Sequence, residues 1–159
     1  MKKILLPTLT LVFFLTSVFF YYRGNYNNIP ELNCYAQVRY NYYSDNGFDV
    51  MDSGIGFSLE NGQGTIFYSA ALKRGKEVFN IKRDVKVSYK VTENNSFLIT
   101  VYDINISPLD NLPESLANKY MYSYTREKGG WFNINVKPNG GNGYIMYTPT
   151  IPQFFCKNI

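Results

Sequence analysis

Hydrophobic and polar positions divide this chain into two unequal parts. Residues 4–22 run without a charge and without an amphipathic rhythm, and nearly every later segment alternates with the period of a strand. From Cys34 to Tyr43, Cys34, Ala36, Val38, Tyr40 and Tyr42 fall on one face and Tyr35, Gln37, Arg39 and Asn41 on the other. Ser53–Leu59 and Thr65–Leu72 flank Asn61-Gly62-Gln63-Gly64, a strong hairpin signal. Glu77–Ile81 reads as a short strand, and Asp84–Val91 alternates cleanly with Val85, Val87, Tyr89 and Val91 on one side. Phe97–Ile106, Tyr120–Thr125, Trp131–Val136 and Tyr144–Thr148 complete the strands. Turns are expected at Asp45-Asn46-Gly47, Arg74-Gly75, Glu93-Asn94-Asn95, Gly129-Gly130 and 139–143. The pattern breaks over Ser107–Met121, where Asp110 to Ala117 reads as a cap and a short helix with Pro113 in its first turn.

The fold class is therefore all-β: an antiparallel lipocalin-like barrel, or a curled sheet, of about eight strands with one short helix. A single transmembrane helix precedes it. Lys2 and Lys3 make residues 1–3 a basic n-region, and residues 4–22, as a helix, span roughly 28 Å against a hydrocarbon core of about 30 Å. The competing reading is a cleaved signal peptide, which needs small residues before the cut; Thr16 and Ser17 are followed at once by Val18, Phe19 and Phe20, so an uncleaved signal anchor is favoured. Lys2 and Lys3 then stay in the cytoplasm, residues 23–33 form a linker rich in Asn, and residues 34–159 form a periplasmic domain of a bacterial inner-membrane protein.

Composition sharpens this picture in three places. Aromatics reach 18%, with 15 Tyr and 12 Phe, which suits strands and half-buried surfaces. Without Lys2 and Lys3 the formal excess of positive charge falls from four to two. The remaining basic residues, densest at Lys73, Arg74 and Lys76 and at Lys82, Arg83 and Lys86, read as solvated strand edges rather than a nucleic-acid face. The chain has no His, which removes the commonest general base and metal ligand. Asp49 and Asp52 sit in a loop-like stretch and read as solvated. Gly54-Ile55-Gly56 and Gly62-Gln63-Gly64 lack the helix and Lys of a phosphate loop. No catalytic constellation emerges, and neither an enzyme activity nor a cofactor or metal is expected.

Cys34 and Cys156 lie near the two ends of the exported domain, and in an oxidising compartment they predict one disulfide that sets the first and last strands side by side. In a cytosolic setting they would instead be two buried thiols. Phe57, Phe67, Tyr89, Tyr102, Phe132 and Tyr144 each fall on an apolar strand face. Their plain role is core packing; in a hollow barrel they would line a site for one small amphipathic ligand, with Tyr hydroxyls as polar handles.

The order of these features resembles the FidL-like membrane proteins of enteric bacteria. The resemblance rests on the basic start and anchor, the early Cys34, the Gly-rich hairpin, the stretch Phe79-Asn80-Ile81-Lys82-Arg83-Asp84-Val85-Lys86-Val87-Ser88-Tyr89, the segment Asp110-Asn111-Leu112-Pro113 and a Pro-rich last strand ending in Phe155-Cys156. That family is similar in layout to ToxS and VtrC, small anchored partners of ToxR-like single-pass transcription regulators. The resemblance implies a periplasmic barrel completed by strands of the regulator, forming a heterodimer that senses a bile salt or another amphipathic molecule and modulates virulence-type gene expression, with no direct contact to nucleic acid. The alternatives are a stand-alone anchored lipocalin-like carrier and an envelope-assembly accessory protein.

Overall fold

The computed structural model describes residues 12–19, 31–44, 47–92, 95–148 and 152–159. The n-region 1–3, most of the apolar run 4–22, most of the linker 23–33, and parts of the turns at 45–46 and 93–94 lie outside the described residues. Residues 12–19 are helical (α1), and Val12, Phe13, Phe14, Leu15 and Phe19 are all more than half exposed on it. Thr16 Oγ1 and Ser17 Oγ both donate to the Phe13 carbonyl, so the hydroxyls of this apolar helix are satisfied within it. Among the described residues no helix is long and apolar enough to cross a membrane.

Eight antiparallel strands follow: β1 Leu32–Ser44, β2 Gly47–Glu60, β3 Gln63–Arg74, β4 Glu77–Thr92, β5 Ser96–Ile106, β6 Trp131–Pro138, β7 Gly143–Tyr147 and β8 Pro152–Asn158. Each pairs with its neighbours in sequence order, and β8 pairs with β1 to close the barrel. Closure removes the sheet edges where it is complete. The expected disulfide is formed: Cys34 and Cys156 are bonded, with Cα atoms 5.4 Å apart, beside the Cys34–Asn158 and Tyr35–Lys157 pairs.

The inward faces follow the alternation of the sequence. Cys34 and Ala36 of β1, Ile55, Phe57 and Leu59 of β2, Ile66, Tyr68 and Leu72 of β3, Val85, Val87 and Tyr89 of β4, and Phe97, Ile99 and Val101 of β5 are buried in one core. Outside, the Tyr35 ring lies across Gly54 and Gly56 of β2; a Cβ on Gly54 would collide with the Tyr35 hydroxyl, so the glycines make room for the ring.

Three assignments change. Asp49 and Asp52 belong to a continuous β2, not a loop. Glu77–Ile81 and Asp84–Val91 are one strand, β4. Tyr120–Thr125 is not a strand: Tyr120 ends the helix α2, Glu114–Tyr120, and Ser123–Thr125 forms a short 3-10 turn. That segment alternates like a strand but pairs with none, because the space it occupies is the distal end of the barrel.

The barrel wall is uneven. Among the described residues β6 pairs with β5 from Ser96–Asn135 to Thr100–Trp131, and β8 pairs with β1 at Cys34 and Tyr35, with the Ile159 amide donating to the Asn33 carbonyl beside them. The distal end is therefore walled by β1 to β5, with a gap between β5 and β1. The connection 107–130, carrying α2 and the 3-10 turn, folds over it as a lid. Two side chains mimic a strand to hold the lid on β4: Asn111 Oδ1 accepts from the Asn80 amide at 2.7 Å, and Asp110 Oδ2 accepts from the Lys82 amide at 3.2 Å. Arg83 fixes it from the inside. Its Nε donates to Asp110 Oδ2 at 2.8 Å and its Nη1 to the Thr125 carbonyl at 3.1 Å, with side-chain exposures of only 6% for Arg83 and 2% for Asp110.

Candidate functional site

Short strands beside a lid leave an opening in the barrel's side. A cleft of about 210 Å³ lies there, reached between the 3-10 turn and β6 to β8. Tyr40 of β1 and Phe57 of β2 form its floor; Trp131, Phe132 and Ile134 of β6 and Phe154 of β8 form its walls; Tyr122, Ser123 and Tyr124 come from the lid. The rings are mutually packed. Tyr124 meets Phe132 at 4.2 Å between centroids, Tyr122 stacks on Tyr124 at 5.6 Å, and Phe57 stacks near Phe154 at 6.2 Å.

Behind the cleft the interior is lined by phenols. Ser53 Oγ and Tyr68 Oη are 3.2 Å apart, the Tyr42 hydroxyl donates to the Tyr120 carbonyl at 3.1 Å, and the Tyr120 hydroxyl donates to Asp49 Oδ2 at 2.5 Å. Asp49, read from sequence as solvated, is buried at 2% exposure, with Arg74 Nε 4.0 Å away. Asp52 is the outward member of that pair. The Arg39 hydrogen bond at 2.5 Å holds its carboxyl below the usual range.

Burial raises the phenols. Tyr42 is pushed up to about 12 by desolvation and by neighbouring Tyr68, Tyr122 and Tyr120. Desolvation also lifts Tyr40, Tyr68 and Tyr124 above the ordinary value. The unfolded chain ionises its tyrosines near pH 10. The raised groups therefore contribute stability that is full below about pH 10 and is lost as pH rises toward their folded values. We expect the tyrosinate absorbance of these buried phenols to appear above about pH 10 in the same step as the loss of near-ultraviolet circular dichroism. Smooth ionisation of all tyrosines near pH 10 with the fold intact would contradict the burial of this cluster.

The residues expected to line a site divide. Phe57 and Phe132 line the cleft. Phe67 and Tyr102 do not: they stand on the outer face, about half exposed. On β3 the inward set is Ile66, Tyr68, Ala70 and Leu72, which turns Phe67 outward. On β5 the pairing slips between Val87–Val101 and Lys86–Asp103, and Tyr102 sits at this bulge facing out. Tyr89 is buried against Phe97, with centroids 5.6 Å apart, away from the cleft. Tyr144 packs half-buried on the core beside the Cys156 backbone. Tyr40, Tyr122, Tyr124, Trp131 and Phe154 are cleft residues that the sequence did not single out. For Tyr40 the signal was present, since it alternates in phase with Cys34 and Ala36.

Among the described residues no group of three or more His, Cys, Asp and Glu side chains could hold a metal ion. The chemistry available at the cleft is apolar contact and neutral hydrogen bonding.

The family described as "FidL-like putative membrane protein" matches residues 71–156, more than half of the chain, from the end of β3 into β8. The match includes both partners of the lid clamp, Arg83 and Asp110. No curated protein matches the chain, and no solved structure does.

Proposed function

Because this chain belongs to the FidL-like family, we propose that it is a membrane-anchored periplasmic co-sensor, pairing with a ToxR-like single-pass regulator and binding a small amphipathic molecule in the aromatic cleft. The observation that carries the reading is the distal gap. Along β1, pairing with β8 stops at Tyr35, and among the described residues no strand pairs with Ala36 to Ser44 on that side; Tyr40 of this stretch lines the cleft. Such an edge takes an extended segment by strand addition, and a segment laid there would also wall the cleft. A ligand that favours the walled form would then favour the pair.

The anchored reading is supported by α1, whose exposed apolar side chains point all round its axis and so suit a lipid surrounding. The basic Lys2 and Lys3 keep the start of the chain in the cytoplasm and put the barrel in the periplasm. A bonded Cys34–Cys156 pair fits that oxidising compartment. Two proteins anchored in one membrane meet at high effective concentration, so a modest interface suffices.

A second reading, a stand-alone anchored carrier, is favoured by one fact: the barrel closes within a single chain. The mass of the detergent-extracted full chain, with and without a co-expressed ToxR-like regulator, separates the two. A one-to-one complex is expected. A monomer that ignores the regulator would sink the co-sensor and leave the carrier.

A further inference from the structure

Resting on the reading of the cleft as a ligand site, we infer that it selects a small, flat, uncharged aromatic molecule carrying a hydroxyl or similar group, and discriminates against the matching carboxylate. Three features of the cleft point the same way.

The first is charge. No side chain lining the cleft is charged; its polar groups are the hydroxyls of Tyr40, Tyr122 and Tyr124 with neighbouring neutral hydroxyls and amides. An anion entering would shed water and meet only neutral dipoles, whereas a phenol-like group exchanges its hydrogen bonds with water for equivalent ones. At neutral pH a phenol hydroxyl is protonated and can both donate and accept, and burial pushes Tyr40 and Tyr124 further the same way.

The second is size. A volume of about 210 Å³ is below the roughly 300–1,000 Å³ of sites that enclose drug-sized ligands. One or two fused rings fit; a larger amphiphile would have to leave most of its body outside or lift the lid.

The third is shape. Two ring pairs line the cleft, Tyr124 with Phe132 and Phe57 with Phe154, and Trp131 stands at the mouth, two-thirds exposed. Planar walls of this kind reward a planar guest by offset stacking.

Trp131 is also the sole tryptophan of the chain, so its emission reports on the cleft alone. The test uses the full chain in detergent micelles, excited on the red edge of indole absorption, and titrates 4-ethylphenol against 4-ethylbenzoate at neutral pH. A saturable change with 4-ethylphenol is expected at a concentration at least about tenfold below that needed with the benzoate. Gln153→Lys places an ammonium at the rim on an exposed side chain and is expected to narrow or reverse that ratio. Equal or tighter binding of the benzoate to the unmodified chain would overturn the inferred ligand class and leave the cleft a ligand site. No saturable response to either probe would overturn both. Pairing with the regulator is read separately by mass.

Discussion

Replacing Cys34 and Cys156 together by alanine is expected to remove about 4–5 kcal/mol of stability. The bridge joins residues separated by 122 positions, so it constrains almost the whole domain in the unfolded state. A domain of this size holds about 5–15 kcal/mol in total, and the variant would sit at the edge of unfolding. Alanine is the better probe than serine because both sulfurs are fully buried and a hydroxyl there would lack a partner. The effect has a second source in the wall itself. Among the described residues two register pairs and the bond from the Ile159 amide to the Asn33 carbonyl join β1 to β8, so the bridge is a large share of what closes the ring there. Urea unfolding of the oxidised chain, the reduced chain and the double variant measures it. A loss below about 1 kcal/mol would mean that the last strand holds its place through β7 and the core, and that the bridge is dispensable for closure.

Much of this barrel was legible because its core obeys a period of two. The Asn61-Gly62 turn takes φ of 51° and 83°, which its residue types announce, and the strands on either side follow in phase. Legibility failed wherever a polar residue occupies an inward position. Arg83 lies in phase with Ile81 and Val85, yet Lys82-Arg83-Asp84 looks like a charged turn, so β4 was divided there. Its carboxylate partner is 27 positions further on, in the lid, and no local pattern could reveal it. Asp49 hid the first half of β2 in the same way, because its partner Tyr120 comes from another element. The expectation of about eight strands agrees with the structure, but through a different division: two expected strands merge into β4, Tyr120–Thr125 becomes helix and turn, and β8 joins after Pro149.

The candidate site was harder to read than the fold. Ile66-Phe67-Tyr68 is apolar on both faces, so alternation alone could not say that Tyr68 points in and Phe67 out. On β5 the buried apolar positions are Phe97, Ile99 and Val101, so Tyr102, one step out of phase with them, falls on the outer face. The cleft itself exists because β6 to β8 are short and the lid is long, which is a property of strand lengths around the ring rather than of any motif. Tyr122 and Tyr124 enter it from a segment whose periodicity promised a strand. What the sequence did hold was the clamp that positions them: the stretch around Arg83 and the segment Asp110-Asn111-Leu112-Pro113 both stand out along the chain, and the structure bonds them to each other.

That clamp sets the other large expected effect. Arg83→Met leaves the Asp110 carboxylate buried with only backbone amides, and Asp110→Asn leaves the Arg83 guanidinium buried without its counter-charge. Each single change is expected to cost about 3–5 kcal/mol, because an uncompensated charge remains in the interior. Arg83→Met combined with Asp110→Asn removes both charges and keeps an acceptor for the Lys82 amide, so its cost is expected to fall well below the sum of the two singles. Location matters as much as magnitude. The amides of Asn80 and Lys82 bond to lid side chains, so lifting the lid exposes them while β1 to β5 stay paired. Hydrogen exchange at those two amides should therefore accelerate more in the single variants than exchange at Val85 or Val87, deeper in the same strand. Loss of Tyr122 and Tyr124 from the cleft follows from the same motion, since the Thr125 carbonyl held by Arg83 is adjacent to them. Strictly additive single effects, or uniform acceleration along all of β4, would show that Arg83 and Asp110 support the barrel as a whole and do not act as the fastening of its lid.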